Sequence, residues 1–113
     1  MGDITVINLK TPEEKARGLQ GMSQIAEDTL WIFHDVNPGI VFHSRNVPEP
    51  FDIAFLDASG RVLEVHTVEP PRGTIQAPER TSMVLESKEG EMSSLGIDLD
   101  RKLNISVLLG NKS

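Results

Sequence analysis

Apolar and polar positions alternate along much of this chain, and that pattern lays out its elements. Ile4 to Leu9 is β-branched and alternating, which predicts a first strand. Thr11-Pro12-Glu13-Glu14 then starts a helix. Thr11 caps it, Pro12 takes the first helical position where its missing donor costs nothing, and Glu14 closes a capping box. Glu13 stands one turn from Arg17 for an ion pair. Ala16, Leu19 and Met22 form the apolar stripe, and Gly18 and Gly21 end the helix.

Thr29 to His34 and Ile40 to His43 are apolar runs separated by Asn37-Pro38-Gly39, and predict a hairpin with a loop. Phe51 to Asp57 is a strong strand, closed by the turn sequence Asp57-Ala58-Ser59-Gly60 and answered by a second arm from Arg61 to Val68. Glu69 to Pro78 holds three prolines and a glycine, which forbid a central strand and predict a loop. Ser82 to Glu86 is a short strand, and Glu89 to Leu95 a helical turn before Gly96. Leu103, Ile105, Val107 and Leu109 alternate in a last strand. The sum is one domain over residues 1–113. It is α+β and β-dominated: a curved sheet or small β-barrel of roughly seven strands with one short N-terminal helix.

Composition narrows the function classes. A chain of 113 residues can build a hydrophobic core without staples. It has no cysteine, which removes disulfides, thiolate zinc sites and cysteine nucleophiles. Its net charge of -6, with eleven scattered basic residues, argues against a nucleic-acid partner. Four Phe, one Trp and no Tyr make a base-stacking platform a poor fit. Met1-Gly2-Asp3-Ile4 lacks a basic lead, and no window reaches the roughly 18 apolar residues of a membrane helix. These features predict a soluble, cytoplasmic chain with no membrane partner.

Candidate chemistry centres on two acids. Alternation puts Phe51, Ile53 and Phe55 on one face of their strand and Asp52, Ala54 and Leu56 on the other. With both faces covered, Asp52 sits among apolar neighbours and requires a partner or a proton. Arg45, Asn46 and Arg17 are the candidates. Asp52 then either anchors the Pro48-Pro50 loop or serves as a general base or ligand group. Glu86 shares a face with Val84 and Ser82 and is a second inward acid of the same kind. Two inward acids with one or two arginines would form a compact ion-pair network, which perturbs pKa values whether or not it is catalytic.

His34, His43 and His66 lack the tight spacings of zinc ligands, so no metal or other cofactor is expected. Ser44 follows His43, but strand neighbours point to opposite faces and cannot bond. There is no Gly-x-Ser-x-Gly elbow, and Gly18-Leu19-Gln20-Gly21 lies late in a helix without the Lys-Ser/Thr of a phosphate loop.

Several blocks, in order, resemble the bacterial and archaeal family called domain of unknown function 192. Arg17-Gly18-Leu19-Gln20 is similar to its Arg-Gly-Leu-Met, and Phe42-His43-Ser44-Arg45-Asn46-Val47 to its Phe-Trp-Met-Lys-Asn-Thr. Pro50-Phe51-Asp52-Ile53-Ala54-Phe55-Leu56-Asp57, followed by Gly60, closely resembles Pro-Leu-Asp-Ile-x-Phe-Ile-Asp. Val84-Leu85-Glu86 and Gly96-Ile97 follow in the family's order, so the likeness runs from about Arg17 to Leu103. The family's Trp-Met becomes His43-Ser44, which implies a more polar pocket. Its later Gly-Asp is replaced by Asp100-Arg101. The resemblance implies a small β-rich domain without assigned catalytic residues or cofactor, and the polar positions it carries over are Arg17, Asn46, Asp52 and Glu86.

The reading that follows is a non-enzymatic domain binding a small ligand or a protein, with Arg17, Asn46, Asp52 and Glu86 clustered near one sheet end. Two alternatives stand beside it. One is a small hydrolase-like enzyme pairing Asp52 or Glu86 with a histidine. The other is a structural module of a larger assembly.

Overall fold

The computed structural model describes residues 4–103. Its strands are β1 (Thr5–Leu9), β2 (Thr29–Phe33), β3 (Val41–His43), β4 (Phe51–Leu56), β5 (Val62–Val68), β6 (Thr74–Gln76) and β7 (Met83–Lys88). Two short helices accompany them, α1 (Pro12–Arg17) and α2 (Glu91–Ser94). The main sheet has the order β1-β2-β7-β4-β5, and β3 and β6 form a separate two-stranded ribbon. Among the described residues the sheet is open, with β1 and β5 at its edges, so the curved-sheet expectation holds and the closed barrel does not.

Both faces of the sheet are covered. Trp31, Phe33, Phe51, Ile53, Phe55 and Val84 share one apolar cluster, joined by Leu19, Ile25 and Val47, with Phe42 and Ile75 of the ribbon packed against it. Leu30, Ile32, Ala54, Leu56 and Leu85 face the other way and pack with Met92 of α2 and Ile97. Every residue of β2 and β4 is buried, as double coverage demands.

Local signals gave local structure. At the start of α1 the Glu14 amide donates to Thr11 Oγ1 at 3.1 Å, and the Thr11 amide donates back to Glu14 Oε1 at 3.0 Å. Helix α1 buries no side chain of its own, and among the described residues no ion pair joins Glu13 and Arg17. The predicted stripe is therefore realised beyond the helix, at buried Leu19 and half-buried Met22, while Ala16 stays exposed. With so little packing, Thr11→Ala should lower stability by about 1 kcal/mol, the usual worth of a cap, measured as a midpoint shift in urea. A change below about 0.3 kcal/mol would show that the cap contributes little in this setting.

The β4–β5 hairpin forms as expected. Asp57 Oδ1 accepts from the amides of Ser59 and Arg61 and from Ser59 Oγ, which holds its carboxyl below the usual carboxylate range.

Two expectations need correction. The hairpin of Thr29–His34 with Ile40–His43 does not form. β2 lies between parallel β1 and antiparallel β7, while β3 pairs with β6. A strand buried on both faces belongs inside a sheet, whereas β3 leaves Val41 exposed and suits an outlying ribbon. The chain turns away at His34, whose carbonyl accepts from Lys15 Nζ at 2.9 Å, and the Val36 amide is then bound by the Ser82 carbonyl. The second correction is β6, which lies inside the expected proline loop. Pro70, Pro71 and Pro78 fall outside its three residues, so its ladder donors survive. The last expected strand, apart from Leu103, falls outside the described residues.

Candidate functional site

The structure divides the four expected site residues rather than gathering them. In the β4–β7 ladder Ile53 stands opposite Glu86 and Asp52 opposite Ser87. Paired residues point the same way and successive residues point apart. Glu86 and Asp52 therefore serve opposite faces of the sheet.

Asp52 is 5% exposed. Its Oδ1 accepts from Thr67 Oγ1 at 2.9 Å, and its Oδ2 accepts from the amides of Gly90 at 2.9 Å and Met92 at 3.3 Å. Arg45, Asn46 and Arg17, the partners expected from sequence, do not reach it. Their segment closes over the other face, where Val47 packs in the cluster of Phe51. Asp52 instead caps the first turn of α2, whose own N-cap, Gly90, has no side chain to do so. A shallow depression of about 420 Å³ beside it brings His66 and Asp52 into one lining, but His66 Nε2 is bonded to Glu64 Oε1 at 2.8 Å.

Glu86 is the opposite case. It is 3% exposed, on the central strand of the sheet, between Trp31 of β2 and Ile53 of β4. Among the described residues no donor and no cation reaches its carboxyl. Burial alone pushes that group from 4.5 up to about 8, so at neutral pH it is mostly a neutral acid. In that state it offers one O–H donor and a carbonyl-type acceptor.

The Glu86 carboxyl lines a cleft of about 250 Å³ between the sheet, the segment after α1, and the ribbon. Phe33, Phe42 and Phe51 supply its apolar wall, with Phe33 and Phe42 in edge contact at 5.4 Å between ring centres. Lys15, Arg17 and His43 also line it, and Glu86 is the one acid among the described lining residues. Gly18 forms part of the wall because little else fits there. Its φ of +49° suits glycine, and an added Cβ would stand 3.2 Å from Phe33 Cζ and 4.0 Å from Glu86 Oε1.

Sequence reasoning picked out Arg17 and Glu86, which do share this cleft. Asn46 is exposed in the following loop at φ 63°, and its carbonyl accepts the Gly21 amide. Lys15 was missed, because nothing in its surroundings in the sequence distinguishes it from a solvated helix lysine. Phe42 could have been weighted more, as one of only four Phe.

His43 keeps its Nδ1 engaged with the Arg45 amide at 3.1 Å. His34 bonds Asn8 at 2.7 Å, and partial burial holds its pKa below the usual histidine value. Among the described residues no three His, Asp or Glu converge as metal ligands. Ser44 is fully buried; its Oγ accepts the Gly73 amide at 2.8 Å, so it fastens the ribbon instead of acting on a substrate. No described helix is long and apolar enough to cross a membrane.

A family model for DUF192, described as an uncharacterized ACR, matches residues 2–105. No curated protein matches the chain. Among solved structures, a Sinorhizobium meliloti 1021 protein proposed to be a transcription regulator is 24% identical with a TM-score of 0.77, over 89% of this chain and 81% of its own. A Novosphingobium aromaticivorans protein of unknown function is 26% identical with a TM-score of 0.75, over 88% of this chain and 73% of its own. The first of these likenesses speaks to fold alone.

Proposed function

The chain belongs to the DUF192 family, and on that premise we propose that it is a non-enzymatic binding domain that holds a small ligand in the Glu86 cleft. One observation carries the reading. A carboxyl group has been buried among phenylalanines with no internal partner, yet it opens onto a cleft. The carboxyl is open to the cleft rather than sealed off, since the fully enclosed unpartnered side-chain atoms among the described residues are Thr81 Oγ1 and Glu91 Oε1. Apolar pockets carry few polar atoms aimed at a ligand, and this carboxyl is so placed.

The hydrolase-like alternative draws less support. Asp52 has both oxygens engaged in holding α2. Glu86 and His43 are the acid and base that would remain to it.

A screen of small aromatic fragments by amide NMR tests the proposal. Hits should converge on the amides of Gly18, Phe33, Phe42 and Glu86, and a folded Glu86→Leu variant should lose them. If no fragment moves those amides, or if the leucine variant responds equally, the cleft is not a binding site.

A further inference from the structure

The charges around the cleft specify what it would take, on the premise that it is a binding site. The chain as a whole is acidic, with a net charge of -6. The cleft reverses that sign locally: its described lining carries Lys15 and Arg17, and its one acid is Glu86 on the floor. The Arg17 guanidinium is exposed and engaged in no hydrogen bond or ion pair among the described residues. Lys15 Nζ spends bonds on the His34 carbonyl at 2.9 Å and the Asp35 carbonyl at 3.4 Å, which leaves a third N–H to give.

We propose that the ligand is a small organic anion with a flat apolar body and a neutral hydrogen-bond acceptor at the end away from its charge. Its carboxylate lies at the rim against Arg17 and Lys15. Its body packs on Phe33, Phe42 and Phe51, and its acceptor takes the hydrogen bond of the protonated Glu86 on the floor.

A cationic ligand is the natural rival, since a buried acid can also take an ammonium or amidinium. It would have to pass two like charges at the rim and place its charge beside them, which is unfavourable in a site with low-dielectric walls. An acceptor such as a ketone oxygen asks nothing further of Glu86, whose proton is already in place at neutral pH. The proton linkage therefore has opposite signs for the two classes. Binding to the neutral acid weakens as pH passes the value of about 8 at which Glu86 ionises, whereas binding of a cation strengthens. The charged and titratable groups facing Glu86 across the cleft are Lys15, Arg17 and His43.

The probes are 4-acetylbenzoate for the proposed class, acetophenone as its uncharged counterpart, and benzamidine for the rival. Titrations followed by amide NMR should show 4-acetylbenzoate moving Gly18, Phe33 and Glu86. Removal of the charge partner by Arg17→Gln should weaken it about 5- to 10-fold while leaving acetophenone unchanged. Between pH 7 and 9 its affinity should fall about 10-fold in the native protein, following the protonated fraction of a group that titrates near 8. In Glu86→Gln the decline should vanish, because the amide keeps a donor at every pH.

Tighter binding of benzamidine, growing with pH, would overturn the anion assignment while leaving the cleft a ligand site. Absence of any response to all three probes would overturn it as well. In that case the broader fragment screen decides whether the cleft binds anything at all.

Discussion

Changing Glu86 to glutamine is expected to stabilise the domain at pH 9 and to leave it no more stable than native at pH 5. The carboxyl titrates near 4.5 when unperturbed and at about 8 in the folded protein. Below the lower value both states hold the proton, and the group adds no pH dependence. Between the two values the unfolded chain has lost its proton and the folded one has kept it, so stability falls as pH rises. Above the upper value both are ionised, and the accumulated loss is on the order of 3–5 kcal/mol.

Glutamine does not titrate and so escapes this loss. At low pH it replaces a neutral carboxyl that is equally without a partner, so there the two proteins differ little. The variant should therefore melt several degrees above native at pH 9, at roughly 4–8 °C per kcal/mol. It should melt close to native at pH 5. His34 and Asp57 titrate in both proteins, and their contributions cancel in the difference. Parallel melting profiles for the two proteins from pH 5 to 9 would mean that the carboxyl is not held protonated by burial.

The second large effect lies on the other face. Asp52→Ala should destabilise the domain by about 3–5 kcal/mol, since it strands two backbone donors, the Met92 amide buried among them, together with Thr67 Oγ1. Asp52→Asn keeps the shape and one acceptor oxygen, and should cost about 1–3 kcal/mol. Urea midpoints measure both. Hydrogen exchange should locate the damage at Gly90 to Leu95, because α2 loses its cap while Met92 is its one buried side chain. Fragment binding in the Glu86 cleft should survive in Asp52→Asn, the milder variant. A cost below about 1 kcal/mol for the alanine change would show that α2 is held by packing alone.

These two acids also show where reading the sequence reached its limit. The capping box at Thr11 and Glu14 and the turn at Asp57 to Gly60 involve neighbours in the chain, and so were legible. Both acids were also legible as inward, since alternation alone sets the face. What each one meets was not, because it depends on which strands lie side by side. Asp52 finds its amides 38 and 40 residues further on. Glu86 finds apolar Trp31 and Ile53 because β7 inserts between β2 and β4, an order that no local pattern encodes. The same non-local pairing removed the expected β2–β3 hairpin and placed β6 in a stretch that its prolines made look like plain loop.

One wall of the cleft has an evolutionary consequence. Lys15 and Arg17 sit on a helix that buries none of its side chains and is kept in place by its cap and one lysine reaching two carbonyls. Substitutions along its exposed face disturb no core packing, and surface changes of this kind usually alter stability by less than about 0.5 kcal/mol. Phe33 and Phe51, in contrast, belong to the core and cannot drift without cost. On the proposed binding role, the surroundings of the mouth can change at exposed positions such as Glu13 and Ala16 while the floor stays constant. Lys15 still anchors the helix, and Arg17 is kept where the family's pattern has an arginine.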